Sequence, residues 1–564
     1  MSVNSRVKDI EGYRGTIRYI GPVAAAKNAN DVWYGIEWDD KSRGKHDGSC
    51  VDKAGKLHRY FQCDVTAGSF VKANKIKFGR TFMEALRERY VDMNAPLVAP
   101  DNIVPNAFVQ TSKGNQKSIE FVGETKIRKW QQLPLINKIA IRDDSISLAG
   151  EGITQHVGHI LELDLQDNLI SDWNEVGLLV QQLPKLENLQ MHGNIMNEIN
   201  RHVIQSLPSA PSSSLSCFAN LRTLALNACK ISSWREILLL ETTLPNIEEM
   251  YLSRNDFSDI PMIDVSPNNK TVFNTASSNN FVKNFTKLKI LDISGCNLSS
   301  WGQVEAFGTL PVLQDLLLDQ NELSDIREPP TDTFKTLQRM SLSSNKLQSW
   351  NDIDSLNKFP ELRCLRLSHV PLFAGKGASE VRPIVIARIA QLNFFNGSAV
   401  NGRERIESEK SYLRRIFRER SLAKTSTTDD KLKDELNTSS SHVSEVNHPR
   451  FDELYALYRE QMLDFGKAQE NGTIASDLVS ITFKNLTLSS SDGMELNTKK
   501  LPLSTTVSRL KMIVKGMYKV DIPLQQLSIR TYRDTPPVFL EDDESTLGYA
   551  GAVNGSFIYV NETD

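Results

Sequence analysis

One short turn brings together residues that suit recognition of an acidic group. It spans residues 44–48 and holds Lys45, His46 and Asp47 between two glycines. A lysine inside a glycine turn has no core to build, so its ammonium group can meet a carboxylate, and backbone N–H groups of the turn can donate to the same anion. Lys72 offers a second cation. The predicted chemistry is the non-covalent binding of a carboxylate.

Aromatic residues on both sides of this turn could complete such a site. Trp33 and Phe70 are candidates to line an apolar slot for an aromatic side chain. The alternative is that Trp33, Trp38, Tyr60 and Phe70 are simply the core of a small domain, and for Trp38 and Tyr60 this structural role is favoured.

The sequence offers no pattern for catalysis. A glycine-rich phosphate loop ahead of Lys-Ser/Thr, a His-Glu-x-x-His motif and a nucleophile elbow are all missing from it. We therefore expect no enzyme activity, no catalytic residue and no cofactor. The histidines and cysteines near the turn also lack the spacing of a zinc site, so no metal is expected. They are His46, Cys50, His58 and Cys63.

Residues 6–78 consist of short apolar segments broken by glycines. Glycine at this density marks tight turns and close approaches of backbone, which predicts a small twisted β-barrel. The order of its motifs resembles a CAP-Gly domain. They are Gly-Thr-Ile-Arg-Tyr-Ile-Gly from residue 15, Trp-x-Gly-Ile-Glu-Trp-Asp from 33, Gly-Lys-x-Asp-Gly from 44, Tyr-Phe-x-Cys from 60 and Gly-x-Phe-Val-Lys from 68.

The CAP-Gly resemblance implies a groove for an acidic, aromatic-ended tail, the Glu-Glu-Tyr/Phe end of α-tubulin. His46 stands where that family's signature usually has Asn, and its imidazole N–H can donate a similar hydrogen bond. The expected tail-binding residues are Trp33, Gly44, Lys45, His46, Asp47, Gly48, Phe70 and Lys72.

Residues 136–372 repeat one pattern of apolar positions followed by Asn, Cys or Asp. The repeats are 24 to 26 residues apart except for two longer intervals, and this is the leucine-rich-repeat period. Each apolar-x-apolar segment predicts a short strand, and stacked repeats predict an α/β solenoid with a concave strand face. Four tryptophans in one slot are predicted to fill its convex side. The nine repeats start at Ile136, Ile160, Leu186, Leu221, Ile247, Leu288, Leu313, Leu337 and Leu362.

Outward strand positions of these repeats carry charges that are acidic in the middle and basic at both ends. We expect this face to hold the folded body of a partner, with a solvated surface as the alternative. The acidic candidates are Glu162, Asp164, Glu249, Asp292, Asp315 and Asp319, and the basic ones are Lys138, Arg142, Arg339 and Arg366.

The last third of the chain contains a charged helix, a polar segment and a second small domain. The helix at 403–420 is predicted to cap the repeats, and 421–447 should be mobile because it is nearly without large apolar residues. The strand, helix and acidic-turn order from residue 478 resembles a ubiquitin-like, β-grasp domain. The chain ends without a Gly-Gly tail, so this domain is expected to bind rather than be conjugated.

The 564 residues exceed one compact core, and their charges nearly balance at −3. This balance does not suggest nucleic acid or an anionic membrane as the main partner. Without an apolar leader or spanning stretch, we expect a soluble, cytoplasmic, cytoskeleton-associated protein. The expected boundaries are 1–80 for the CAP-Gly barrel, 81–130 for a helix and linker that let the barrel move, 131–420 for the capped solenoid, 421–474 for a linker with a short helix and 475–564 for the ubiquitin-like domain.

Together, a CAP-Gly barrel, leucine-rich repeats and a ubiquitin-like domain in this order resemble the tubulin-folding cofactor E family. The resemblance implies a non-enzymatic chaperone of α-tubulin that works with cofactors D and C in assembly or dissociation of the αβ-tubulin heterodimer. Cofactor B and the proteasome are further candidate partners. Two other hypotheses stay open, a microtubule-associated CAP-Gly adaptor and an adaptor that delivers tubulin to the proteasome. Microtubule-associated CAP-Gly adaptors usually carry a long coiled coil for dimerisation, and no sustained heptad run occurs in this sequence.

Overall fold

The structure is a computed structural model in which the chain divides into two compact units, Met1–Pro371 and Leu372–Asp564. Within them it describes residues 2–26, 28, 31–90, 108–110, 116–118, 136–208, 216–261, 285–426, 448–459, 478–485, 496–503, 505–531, 537–540, 543, 545–548 and 550–562. Among these residues, no helix has the length and apolar character needed to cross a membrane.

The first unit begins with seven strands. They are β1 (Arg6–Asp9), β2 (Arg14–Gly21), β3 (Trp33–Trp38), β4 (Ser49–Val51), β5 (Leu57–Arg59), β6 (Gly68–Val71) and β7 (Ile76–Phe78). Five of them form an antiparallel sheet in the order β6-β3-β2-β1-β7, and β4 pairs with β5. Val7, Ile17, Ile36, Trp38 and Ile76 form the core, which confirms the structural role predicted for Trp38. We keep the name barrel for this domain.

The chain passes from the barrel directly onto the repeats. After β7 come β8 (Arg80–Thr81) and α1 (Phe82–Arg89), and Thr81 and Glu84 cap the start of the helix reciprocally. β9 (Phe108–Gln110) and β10 (Gln116–Ser118) form a small antiparallel pair. The rest of the predicted linker at 95–117 lies outside the described residues. This linker follows α1, so it does not separate the barrel from the first repeat layer, contrary to our expectation of a mobile barrel.

Each of the nine repeats contributes one short strand to a parallel sheet, and the strands follow one another in chain order. The middle residue of each strand is buried, as Leu163, Leu291 and Leu316 show, whereas its neighbours lie on the other face. β12 (Ile146–Leu148) lies outside this sheet and pairs with β8. The nine strands are β11 (Lys138–Ala140), β13 (Glu162–Asp164), β14 (Asn188–Gln190), β15 (Thr223–Ala225), β16 (Glu249–Tyr251), β17 (Ile290–Asp292), β18 (Asp315–Leu317), β19 (Arg339–Ser341) and β20 (Cys364–Arg366).

In the described residues between these strands, six segments form α-helices. They are α2 (Ile153–Val157), α3 (Trp173–Gln181), α4 (Arg201–Ser206), α5 (Trp234–Glu241), α6 (Trp301–Glu305) and α7 (Trp350–Leu356). The repeated tryptophan opens four of them, and three of these side chains are fully buried, which confirms their packing role, whereas Trp350 is half-buried.

The residue two places after each tryptophan joins neighbouring repeats. The Glu236 carboxylate accepts from the Ile199 N–H at 2.9 Å, and the Asp352 carboxylate accepts from the Ile326 N–H at 3.1 Å. The Asn and Cys positions do similar work inside the stack. Asn321 donates to the carbonyls of two repeats and accepts from the Cys296 N–H at 2.9 Å. Burial raises the pKa of the Cys296 thiol to about 12, so it is a reduced structural group as predicted.

Two predicted surface inserts interrupt the repeats. The first begins with α4, and residues 209–215 within it lie outside the described part of the chain. The second, at 261–286, is described only at its ends. The polar segment predicted to be mobile overlaps the end of the long helix of the second unit, and its residues 427–447 are likewise not described.

The second unit starts with α8 (Ala378–Arg388), the hairpin β21 (Phe394–Phe395) and β22 (Ser398–Ala399), and α9 (Gly402–Ser426). Leu413 and Ile416 of α9 are buried, but Ile406 and Phe417 are more than one-third exposed. The helix at 451–459, here α10, packs in the same unit. Arg450 lies just before it and forms a buried ion pair with Glu409 of α9 at 3.3 Å. The capping role of these helices stays a prediction.

The unit ends in a five-stranded β-grasp sheet with one helix across it. β23 and β27 are parallel neighbours, and the strand order is β24-β23-β27-β25-β26. Val507, Leu510 and Val514 of the helix pack on the sheet core. The elements are β23 (Leu478–Asn485), β24 (Leu496–Pro502), α11 (Val507–Tyr518), β25 (Gln525–Arg530), β26 (Val538–Phe539) and β27 (Ser556–Glu562).

Candidate binding site

The turn at residues 44–48 is held by backbone hydrogen bonds to the start of β6. The Lys45 and His46 N–H groups both donate to the Gly68 carbonyl, at 2.7 and 3.1 Å, and the Gly68 N–H donates to the His46 carbonyl at 2.7 Å. Gly48 has a φ of +89°, and a Cβ there would lie 2.2 Å from the Phe61 carbonyl oxygen, so only glycine fits. The turn is therefore a fixed platform and not a loose loop.

His46 is oriented by its own turn. Its Nδ1 accepts a hydrogen bond from the Gly48 N–H at 3.0 Å, so the neutral ring carries its proton on Nε2. The ring stacks on Phe70 with centroids 4.7 Å apart and an interplanar angle of 27°. Burial lowers the pKa of His46 below its usual 6.5, Asp47 opposes that shift, and Lys45 adds to it. The side chain is thus a neutral N–H donor at pH 7.

Lys45 and Asp47 have different roles, although they lie in the same turn. The Asp47 carboxylate accepts from the Ser49 hydroxyl at 2.5 Å and from the Arg59 guanidinium at 2.7 Å, and these contacts lower its pKa to about 2. Lys45 is exposed, and its ammonium group has no carboxylate partner among the described residues. Asp47 therefore stabilises the turn, whereas Lys45 is available to a ligand.

The second predicted cation is only partly available. Lys72 forms an ion pair with Asp31 at 2.9 Å and lies 5.3 Å from the centre of the Trp33 ring. Trp33 is half-buried, and its indole Nε1 is buried and has no hydrogen-bond partner among the residues that the structure describes. A ligand at Lys72 would have to share this ammonium group with Asp31.

The predicted aromatic slot contains more rings than sequence reasoning identified. Gly35 pairs with Phe70, and Trp33 is two residues earlier on β3, so Trp33 and Phe70 project from the same face of the sheet without ring contact between them. Phe70 also contacts Tyr60 and Phe61, with ring centroids 5.3 and 5.7 Å apart. Tyr60 is half-buried in this cluster and not in the barrel core that we favoured for it.

These contacts bring two kinds of recognition group close together. Lys45 and the His46 Nε2–H can meet carboxylate oxygens, while Trp33, Tyr60 and Phe70 present aromatic surface beside them. The missed rings, Tyr19 and Phe61, had one usable signal, since both lie in the quoted family motifs. The arrangement suits non-covalent binding of an acidic chain end that carries an aromatic side chain.

The second predicted surface, the strand face of the repeats, is less acidic than its sequence suggests. Asp164 and Asp315 are buried, and each is paired with an arginine on the adjacent repeat, Arg142 at 2.7 Å and Arg339 at 2.6 Å. Neighbouring strands lie about 4.8 Å apart, so such cross-strand pairs form readily. Both carboxylates are therefore already neutralised within the repeats and are not open to a partner's cation.

The other four acidic candidates divide into two groups. Glu162 is paired with Lys138 at 2.8 Å, and Asp319 accepts from the Ser341 hydroxyl at 2.6 Å. Glu249 and Asp292 have no cationic partner among the described residues. These two lie near Tyr251, a residue that sequence reasoning missed, whose pKa rises to about 12 because of its burial and the nearby carboxylates. The acidic candidates without a cationic partner among the described residues are thus Glu249 on β16, Asp292 on β17 and Asp319 just after β18.

A polar groove of about 350 Å³ lies where the second to fifth strands begin. Its arginine, Arg222, is paired with Glu187 at 3.5 Å and with Glu248 at 2.5 Å, and Glu248 also binds Lys289 at 2.6 Å. No aromatic residue among those described lines this groove, so it is a weaker candidate for an acidic, aromatic-ended ligand than the turn at 44–48.

Comparisons with known proteins agree with this architecture. A family model described as the CAP-Gly domain matches residues 3–76. The chain is 29% identical to "Tubulin-folding cofactor E" of Arabidopsis thaliana, over 99% of this chain and 98% of that protein. It is 28% identical to "Tubulin-specific chaperone E" of Mus musculus over the same shares.

Among solved structures, the chain resembles the C-terminal ubiquitin-like domain of mouse tubulin-specific chaperone E. That match has 22% identity and a TM-score of 0.15, and it covers 17% of this chain and 95% of that domain. The sequence relatives carry the family assignment. The resemblance to the tubulin-folding cofactor E family is confirmed, and this chain is related to that family over almost its whole length.

Proposed function

We propose that this protein is a tubulin-folding chaperone that binds α-tubulin at two places. The groove of the barrel binds the acidic tail, and the strand face of a leucine-rich-repeat solenoid binds the folded body. The protein takes part in assembly or dissociation of the αβ-tubulin heterodimer with the other tubulin-folding cofactors, D and C first and B as a further partner. The names of the full-length relatives support this role.

One observation carries the tail assignment. Lys45 is an exposed cation without a carboxylate partner among the described residues, and it lies next to the Nε2–H donor of His46 and the aromatic cluster around Phe70. The C-terminal carboxylate and glutamates of a tail match the cation and the donor, and the terminal aromatic residue matches the rings.

The test is a titration of α-tubulin tail peptides against the full chain and its Lys45→Ala variant. A charge-assisted contact contributes about 1.5–3 kcal/mol, so removing it should weaken binding roughly ten- to a hundredfold. Lys77→Ala is the matched control. Lys77 is also exposed, but it lies on β7, at the opposite edge of the sheet from the groove.

A second peptide without its terminal aromatic residue tests the rings. It should bind the parent more weakly than the intact peptide, and this difference should shrink in Phe70→Ala. If Lys45→Ala binds the intact tail as tightly as the parent, the groove is elsewhere and the assignment is wrong.

The same proposal makes the protein non-catalytic and places it in the cytoplasm. A pull-down with purified tubulin that scores free subunit, dimer and polymer separately tests the chaperone role. Retention of polymer alone would favour the microtubule adaptor instead.

A further inference from the structure

The covalent link between the barrel and the repeats is part of the folded structure. β8 pairs in parallel with β12, and the Arg80 N–H donates to the Ser145 carbonyl at 2.9 Å. The residue between β7 and β8 is Gly79, where a Cβ would lie 1.9 Å from the Ser147 hydroxyl oxygen. The backbone at Gly79 thus packs directly against the Ser147 side chain of β12.

The helix that follows secures the same link. Phe82 and Leu86 of α1 are completely buried. Arg80 also forms an ion pair with Asp144 in the turn before β12, and its Nε donates to the Asp144 carbonyl at 3.0 Å. β8 and α1, which follow the barrel directly in the chain, therefore pack as part of the first repeat.

A second contact joins the body of the barrel to the first two repeats. The guanidinium of Arg14, on β2, donates to Asp143 at 2.6 Å and to Asp167 at 2.9 Å, and the Lys8 ammonium binds Asp143 at 2.9 Å. The side chain of Arg14 is only 22% exposed. Charged groups from two domains thus meet in a half-buried cluster, where ion pairs are screened less than on an open surface.

The two aspartates occupy one equivalent position in successive repeats. Each lies three residues after its strand in a left-handed turn, with φ of 52° for Asp143 and 60° for Asp167. The next seven repeats have left-handed backbone at this position but no aspartate. Their residues are Gly193, Ala228, Arg254, Gly295, Gln320, Ser344 and His369. Aspartate therefore occurs where the barrel makes contact and is not a requirement of the turn.

The loop that precedes β6 carries Asp64, whose charge is influenced by a lysine of the repeats. Asp64 belongs to the loop that leads into β6, whose Gly68 holds the turn of Lys45 and His46. Lys41 lowers the pKa of Asp64, and Lys230, in the turn after the fourth strand, adds to this effect through space.

From this geometry we infer that the barrel and the repeats form one rigid binding unit. Its groove and strand face hold the acidic tail and the folded body of the same tubulin subunit at once. This inference rests on the proposed function. Once the strand face has bound the folded body, the tail of the same subunit can bind the barrel as an intramolecular step. Because the barrel is already held in place, this step does not require a flexible linker to be ordered, so each contact strengthens the other.

The test uses the full chain and a variant that separates the two domains, Lys8→Glu with Arg14→Glu. The reversed charges repel Asp143 and Asp167. Arg18→Glu is the control, because Arg18 lies on the same strand but pairs with Glu37 inside the barrel, at 2.7 Å. Combining Lys8→Glu and Arg14→Glu with Asp143→Arg and Asp167→Arg should restore docking, which separates undocking from misfolding of the barrel.

Hydrogen exchange at the Arg80 amide measures docking directly. It should be slow in the parent and the Arg18 control and at least tenfold faster in the separated variant. Affinity for αβ-tubulin should then fall about tenfold or more, while affinity for the free tail peptide stays unchanged. The charge-swapped variant should recover both values.

Two results would overturn the inference. Fast exchange at Arg80 in the parent would show that the barrel is not docked, and unchanged tubulin affinity in a separated variant would show that docking does not matter for binding. If the parent binds no tail peptide, the proposed function is wrong, and so is the inference that tail and folded body bind at the same time. The exchange measurement still decides the docking on its own.

Discussion

Replacing His46 tests whether the turn uses this side chain as both acceptor and donor. In the structure its Nδ1 accepts from the Gly48 N–H, and its ring stacks on Phe70. Asn can reproduce the acceptor and the donor, because its amide has one oxygen and an NH2 group. Ala can reproduce neither. Asn lacks only the ring that stacks on Phe70, so we expect His46→Asn to weaken tail binding less than His46→Ala does.

The size of the loss follows from these two contacts. A hydrogen bond of this kind contributes about 1 kcal/mol, and an aromatic pair contributes about 0.5–1.5 kcal/mol. The sum of roughly 1.5–2.5 kcal/mol corresponds to a decrease in affinity of about ten- to seventyfold, if the variant must reorder its turn when the tail binds.

The pH dependence provides a second, independent readout. Since burial lowers the pKa of His46 in the folded barrel, the unfolded chain takes up this proton first as the pH falls below 6.5. The stability from this residue is therefore fully present above pH 6.5 and is lost as the pH falls. Protonation also removes the acceptor for the Gly48 N–H. The affinity of the parent for the tail peptide should decrease from pH 7.5 to 5.5. The affinity of His46→Asn should change less over the same pH range, because asparagine does not titrate.

The assay is calorimetric titration of one tail peptide against the parent, His46→Asn and His46→Ala at both pH values. Peptide carboxylates titrate near pH 4, so they contribute equally to all three proteins. The reasoning is refuted if His46→Ala binds like the parent at pH 7.5. It is also refuted if His46→Asn shows the same pH dependence as the parent.

Three further predictions concern the rest of the chain. Trp301→Ala should lower the free energy of unfolding of the repeats by about 3–5 kcal/mol, measured by urea denaturation, and a variant that unfolds like the parent would contradict its complete burial. Reversing Asp292 to lysine should slow tubulin association at low salt, measured by stopped flow. Asp315→Asn should change the association rate little, because Arg339 already neutralises Asp315. Equal association rates for Asp292→Lys and the parent would rule out electrostatic steering by this face. Arg450→Ala leaves the buried Glu409 carboxylate without its arginine and should destabilise the packing of α10 on α9 by about 3–5 kcal/mol. The measurement is hydrogen exchange in α9, which should become faster. Unchanged exchange would show that the ion pair is dispensable.

Much of this protein could be predicted from local patterns. The turn at 44–48, the nine strand positions and the helix at Val507–Tyr518 each depend on residues close in sequence, such as paired glycines or a period of 24 to 26 residues. Their geometry follows from backbone sterics and side-chain alternation, which act over a few residues. For the same reason the buried asparagines and cysteines of the repeats could be assigned from their place in the period alone.

The charges of the site could not be assigned in this way. Whether an ionised side chain is free or neutralised depends on what the fold places within about 4 Å of it, often from distant residues. Asp47 is neutralised by Arg59, Asp315 by Arg339, and only Lys45 is left without a carboxylate partner among the described residues of the turn. Sequence alone weighted these charges equally.

The position of the barrel shows most clearly the difference between what local sequence patterns predict and what the tertiary structure decides. Its motifs predicted a separate module, and the polar segment at 95–117 suggested that it moves. The tertiary structure instead joins Arg14 to Asp143 and Asp167, about 130 and 150 residues away along the chain, and does so upstream of that segment. Sequence patterns determine what each domain is, because short-range forces build it. Contacts between domains combine residues that no local period relates, so only the tertiary structure decided where the groove lies relative to the repeats.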